Sequence, residues 1–174
     1  GQQVVIDNRP GAAGTLGVGM VAKALPDGYT LMMSDVPSHA ISASLYTKLP
    51  YDPFKDFAYI SQLTAGQFLL ASHPSVPVKT VKQLIALAKA RPDQLNYGSS
   101  GAGVINHLAG ELFQSMTGIR WVHVPFKGAG PSTIGLIGGH IDFVFASTTG
   151  LVGPAKAGKV RAIAVTGPQR FTEL

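Results

Sequence analysis

The chain is 174 residues long, with 45% hydrophobic residues, 13% charged residues and a formal net charge of +5. That length carries one large or two small domains with a real core, and no apolar run reaches the roughly 18 residues a membrane helix needs. Basic residues stand singly (Lys23, Lys48, Lys79, Arg120), which suits small anions better than a nucleic-acid face, and the absence of cysteine removes disulfides, thiolate catalysis and cysteine zinc sites.

Apolar β-branched runs alternate with helical patterns, which predicts βαβ units and a largely parallel sheet. Strands are expected at residues 4–7, 29–33, 59–71, 95–97, 121–124, 141–145 and 160–165. Helices are expected at 15–25, 40–46, 81–90, 104–117, 131–137 and 151–157. Pro26-Asp27-Gly28 stops the first helix, with Gly28 supplying a positive φ. The run 59–71 is long enough to leave one sheet and enter another, with Gly66 as its bend. Thr80 caps the helix at 81–90, and Arg91-Pro92-Asp93 ends it. The last strand, 160–165, is expected to return to the first lobe. The chain then divides into a partial first lobe (1–66), a nearly complete second lobe (67–162) and a return segment (163–174). Gly1 is not a natural start, so a removed leader is expected.

Four loops repeat one pattern, strand then small residues then helix, at 8–14, 98–103, 125–131 and 146–150. In an open α/β sheet such loops lie at the carboxyl edge, where ligands sit. The stretch Gly98-Ser99-Ser100-Gly101-Ala102-Gly103 is the strongest of them. It leads straight into an amphipathic helix, so unpaired N–H groups at the helix start should face one small space and favour an anion. His39 follows a strand near the same edge and is a further candidate, although capping around Ser38 explains it as well. His107 and Glu111 share a helical face, but no further ligands lie close in sequence, so a polar contact is expected rather than a metal site.

Several enzyme motifs fail. Ala102 breaks the G-x-S-x-G pattern, and the loop lacks the third glycine of a dinucleotide fingerprint. The G-x-x-x-x-G-K match at 153–159 is followed by Val160 and runs from helix into strand, the reverse of a phosphate loop. No two acidic residues fall in neighbouring loops, which leaves little for acid–base catalysis.

Beyond these features, Val5-Ile6-Asp7-Asn8-Arg9-Pro10-Gly11-Ala12-Ala13-Gly14 resembles the opening region of the Bug solute-binding proteins, the extracytoplasmic receptors of the tripartite tricarboxylate transporter family. The resemblance continues through Pro26-Asp27-Gly28-Tyr29-Thr30-Leu31, His39-Ala40-Ile41 and Leu49-Pro50-Tyr51-Asp52-Pro53. It resumes at Tyr97-Gly98-Ser99-Ser100-Gly101, His107-Leu108-Ala109-Gly110-Glu111, Val124-Pro125-Phe126-Lys127-Gly128 and Gly138-Gly139-His140-Ile141-Asp142. It implies an α/β fold of the type II periplasmic-binding-protein kind, two lobes joined by a hinge, with the first lobe incomplete. It also implies a periplasmic, non-catalytic receptor that closes on a small carboxylate between its lobes for membrane uptake, without a cofactor or metal.

Carried onto this chain, the resemblance implies ligand contacts at Ser34, Ser38, His39, Ser99, Ser100, Gly101, Lys127 and Ser147. The family usually has Asp after the Phe145-type position, where Ala146-Ser147 stands here, and often Asn-Pro where this chain has Ser42-Ala43. The family's first strand and the end of its first lobe find no match, so a fragment lacking both ends is expected, one that binds weakly. Expected partners are a small carboxylate and the membrane components of the transporter, with no nucleic acid, and a dimer through exposed edges of the truncated lobe. The alternatives are a module presenting a carboxylate to a membrane sensor kinase and, more remotely, a serine hydrolase using Ser99 or Ser100 with His107.

Overall fold

Side-chain alternation along the strands decides the architecture. Leu69 and Ala71 belong to one apolar layer and Leu70 to another. Phe143 and Phe145 are divided in the same way from Val144 and Ala146. Both faces of these strands therefore need a cover, the condition for a sheet sandwiched between helices. The computed structural model describes every residue except Pro10 and Asp35, with Val36, Pro37 and Ser38 described by backbone alone. The chain separates into two units, Gly1–Ser61 and Gln62–Leu174.

Within Gly1–Ser61 lie a 3-10 turn, Ala12–Gly14, and two helices, α1 (Thr15–Val21) and α2 (Val36–Leu45). The Thr15 hydroxyl donates to the Ala12 carbonyl at 2.8 Å and ties the turn to α1. Where a helix was expected to run to residue 25, α1 gives way to a tighter turn, with Lys23 N–H donating to Met20 O and Ala24 N–H to Val21 O. The core of this unit is aromatic: His39 stacks on Tyr51 at 5.7 Å and meets the edge of Phe57 at 5.0 Å. The expected strands at 4–7 and 29–33 are absent, since those residues pair with no other strand among the described residues. Val4, Val5, Ile6, Tyr29, Leu31 and Met33 are exposed instead. An apolar run makes a strand only when a neighbour completes its hydrogen-bond ladder.

Gln62–Leu174 contains β1 (Phe68–Ser72), α3 (Val81–Ala90), β2 (Asn96–Ser99), α4 (Ile105–Thr117), β3 (Val122–Pro125), α5 (Ala129–Ile137), β4 (Phe143–Ser147), α6 (Thr148–Lys156) and β5 (Arg161–Val165). The sheet order is β3-β2-β4-β1-β5. β2 is parallel to β3 and β4, whereas β1 is antiparallel to β4 and β5. Leu84 and Ala88 of α3 pack with Leu70, Tyr97, Trp121, Phe143 and Phe145 on one face. Leu136 of α5 and Leu151 of α6 pack with Leu69, Ala71, Val144 and Ala146 on the other. Each fully buried side chain of this size contributes about 1.5–3 kcal/mol, which makes the two layers the main stabilising term of this unit.

The long strand expected at 59–71 forms only over Phe68–Ser72. The last strand also departs from expectation. Arg161–Val165, expected to return to the first lobe, lies in the sheet of Gln62–Leu174, with Leu69 opposite Val165 and Ser72 opposite Arg161. The two compact units meet in sequence at Ser61/Gln62.

Two local devices fix the starts of α3 and β2. Thr80 accepts from Gln83 N–H while the Gln83 side chain accepts from Lys79 N–H at 2.7 Å, which fixes the start of α3. Asn96 and Asp142 exchange backbone-to-side-chain hydrogen bonds, each 2.9 Å, and lock the start of β2 beside β4.

Candidate functional site at the carboxyl edge of the sheet

Because β2, β3 and β4 run parallel, Ser99, Pro125 and Ser147 end at one edge, and α4, α5 and α6 begin there. The chain steps from β2 outward to β3, then crosses back past β2 to β4. That reversal is the topological switch point at which open α/β sheets take ligands, outside the carboxyl ends of the two diverging strands. Here those strands are β2 and β4, so the loop after Ser99 and the turn at Ser147 form the candidate site.

The loop holds its own shape by spending amides that looked free in the sequence. Gly101 N–H donates to Ser99 Oγ at 3.1 Å, Ser100 N–H to Asn106 Oδ1 at 3.2 Å, and Gly103 N–H to His107 Nδ1 at 3.1 Å. The Ser100 hydroxyl donates to the same Asn106 oxygen at 3.0 Å. Behind the loop, Phe126 N–H donates to Ser99 O and Gly128 N–H to Ser100 O. The cradle is therefore narrower than expected. It consists of the first-turn amides of Ile105, Asn106 and His107, which have no carbonyl acceptor inside the helix, together with the remaining hydroxyl surface. Their partial positive charge favours an anion by roughly 0.3–1 kcal/mol, up to about 2 when partly buried.

Under the loop lies a polar network. His123 Nε2 is 2.6 Å from Ser99 Oγ, and the His107 and His123 rings stand 4.0 Å apart. Glu111 accepts the Tyr97 hydroxyl at 2.6 Å and approaches His107 Nε2 at 3.8 Å. Burial, with the adjacent His107, pushes the His123 imidazole below the ordinary histidine range, while Glu111 opposes this. Burial and the Glu111 carboxylate push the Tyr97 phenol far above its ordinary value. This arrangement needs Gly110, because a Cβ there would stand 2.2 Å from the Tyr97 ring. The small residue lets α4 settle onto β2 and brings Glu111 within reach of Tyr97.

The expected contacts separate into distinct groups. Ser100 is half-buried at the mouth of the loop, and Gly101 forms its turn at φ +144°. Ser99 is fully buried with its hydroxyl donating to Gly101 O at 2.9 Å, so it supports the loop rather than facing solvent. Ser147 caps α6 through Gly150 N–H at 3.3 Å and is exposed at the edge, as is Lys127 in the β3–α5 loop. Ser34 is exposed in Gly1–Ser61, and the Ser38 side chain lies outside the described residues. His39 lies in the aromatic core of Gly1–Ser61. It is buried among Tyr51, Phe57 and Tyr59 with Nε2 against Pro53 O at 3.2 Å, because a ring flanked by three aromatics packs more favourably than one in water.

Sequence reasoning missed Asn106 and His123. Asn106 sits in the first turn of a helix, where an amide that reaches back to a loop is a recognisable capping device. His123 carries no such signal, because only the β2–β3 register that sets it opposite Tyr97 brings it beneath Ser99. Among the described residues, no group of three or more His, Cys, Asp or Glu gathers as for a metal. No helix among them is long and apolar enough to cross a membrane.

Known proteins resemble this chain in sequence and fold. The family model described as the tripartite tricarboxylate transporter family receptor matches residues 1–174. BugT of Bordetella pertussis is 33% identical over 173 residues, covering 99% of this chain and 53% of that protein. A Rhodopseudomonas palustris protein solved with adipate is 36% identical with a TM-score of 0.89, covering 95% of this chain and 56% of the other. MatC from the same organism, solved with bound malate, is 31% identical with a TM-score of 0.83, covering 92% of this chain and 54% of the other. The chain spans about half the length of the curated relatives it matches. With its fold shared with periplasmic binding proteins of this type and its whole length matched by the family model, the chain belongs to the tripartite tricarboxylate transporter receptor family.

Proposed function

We propose that this chain captures a small carboxylate at the carboxyl edge of β2 and β4, as part of a periplasmic receptor that hands its solute to transporter components in the membrane. The observation that carries the reading is the cradle itself: first-turn amides of α4 and the hydroxyls of Ser100 and Ser147, gathered where the strand order reverses. Uncharged donors of this kind bind a carboxylate through its oxygens, and adipate and malate are the ligands of two related proteins.

The site acts without catalysis in this reading. A serine nucleophile needs a base within hydrogen-bond reach and access to substrate. Ser99 has the histidine but is fully buried, while the accessible Ser100 hydroxyl donates to Asn106 instead. Titration calorimetry with adipate, malate and citrate, and with adipamide as the uncharged match for adipate, tests the proposal. Heat is expected from at least one carboxylate and none from adipamide. Silence from every carboxylate overturns it.

A further inference from the structure

The His107 amide belongs to the cradle, but the receptor reading gives its imidazole no role. Its Nδ1 accepts the Gly103 N–H at 3.1 Å, a bond made only by a ring that carries its proton on Nε2, the nitrogen that faces Glu111. Any added proton must go to Nδ1, where it meets the Gly103 N–H head-on. The hydrogen bond is then replaced by two opposed donors. Gly103 is the last glycine before α4, at φ +79°, and its N–H bond to His107 ties this end of the loop to the first turn of the helix.

We propose that His107 is a positioning residue, which in its neutral form holds Gly103 and the anion cradle in shape and on protonation lets the loop go. The inference rests on the carboxylate reading for its effect on ligand, though not for its effect on the loop. The titratable groups that face His107 are Glu111 on its own helix, His123 on β3 at 4.0 Å between ring centres, and Tyr97 of β2, whose hydroxyl contacts both Glu111 and the His107 carbonyl. Glu111 lies on the Nε2 side, so it offsets the new positive charge before an anion in front of the loop gains from it. The net result is a lost tie with little compensating attraction, and anion affinity falls with pH.

Two variants separate positioning from mere packing. Asparagine places Oδ1 where His107 has Nδ1, so His107→Asn keeps an acceptor for Gly103 that does not titrate, whereas His107→Leu removes the acceptor. In the ligand-free protein, hydrogen exchange at the Gly103 amide is followed between about pH 8 and about pH 5, the range in which histidine changes charge, with intrinsic rates divided out. Protection at Gly103 should fall about fivefold or more on acidification of the wild type, stay level in His107→Asn, and be low throughout in His107→Leu. Protection that stays constant in the wild type while the His107 ring protons titrate overturns the proposal. Calorimetry with adipate over the same range adds the functional reading. The wild-type affinity should drop about fivefold relative to His107→Asn, ligand ionisation cancelling in the ratio. Equal pH dependence in the two proteins overturns the link to binding. If adipate, malate and citrate bind neither protein while Gly103 protection still titrates, the hold of His107 on the loop stands and the carboxylate reading fails.

Discussion

Gly1–Ser61 and Gln62–Leu174 contain apolar segments of similar composition and put them to different use. Val4-Val5-Ile6 and Phe143-Val144-Phe145 both read as strands from sequence, yet the first triplet is exposed and the second almost wholly buried. The difference lies in partners rather than propensity. Phe143–Ser147 has β1 on one side and β2 on the other, with an apolar layer on each face, while residues 4–7 have no ladder partner among the described residues. β propensity is a statement about a surface to pack on, and it is realised only where that surface exists.

The comparison can be broken most forcefully at Phe143. Phe143→Ala empties the layer shared with Trp121 and Phe145 and should cost about 3–5 kcal/mol, read as a large drop in the urea midpoint. A loss below about 1 kcal/mol, the size of a surface change, would mean this sheet is no better packed than the exposed segments. Next comes Asn106→Ala, which strands the Ser100 N–H and hydroxyl and should cost about 1–3 kcal/mol along with most of the affinity for the proposed carboxylate. Unchanged binding would show that loop shape is set elsewhere.

The third test is one of pH. His123 has a depressed pKa when folded, so the folded state resists the proton that the unfolded chain accepts. Its contribution is fully present above the unfolded histidine pKa and is lost as pH falls through the folded one. Thermal stability should therefore decline on acidification below the ordinary histidine range, and His123→Gln should flatten that part of the profile. A wild type whose melting temperature is level across that window would contradict it. Smallest of all, Met33→Ser in the exposed segment of Gly1–Ser61 should change stability by no more than about 0.5 kcal/mol. A larger loss in the same urea titration would reveal a partner for this segment in solution.

Much of the site was legible in the chain because its logic is local. A strand ending in Gly98-Ser99-Ser100-Gly101 and followed by a helix predicts a carboxyl-edge loop, and the structure places it there, at the switch between β2 and β4. What was not legible is which N–H groups remain free. Ser100, Gly101 and Gly103 spend theirs on Asn106, Ser99 and His107, and such closure of a loop on itself depends on side-chain rotamers that no spacing rule reports. The packing of His39 was equally illegible, because the aromatic residues that enclose it, Tyr51, Phe57 and Tyr59, arrive from ten to twenty positions away.

The sequence by itself determined the alternation of helix and strand in Gln62–Leu174, the capped start of α3, the small-residue loop and the family pattern, because each depends on neighbours a few residues apart. Tertiary structure decided that β5 joins β1, that His123 stands under Ser99, and that the Ser100, Gly101 and Gly103 amides are spent inside the loop. Those outcomes require segments distant in sequence to meet. Register and burial settle such meetings through hydrogen bonds and apolar contacts that no single stretch of chain contains.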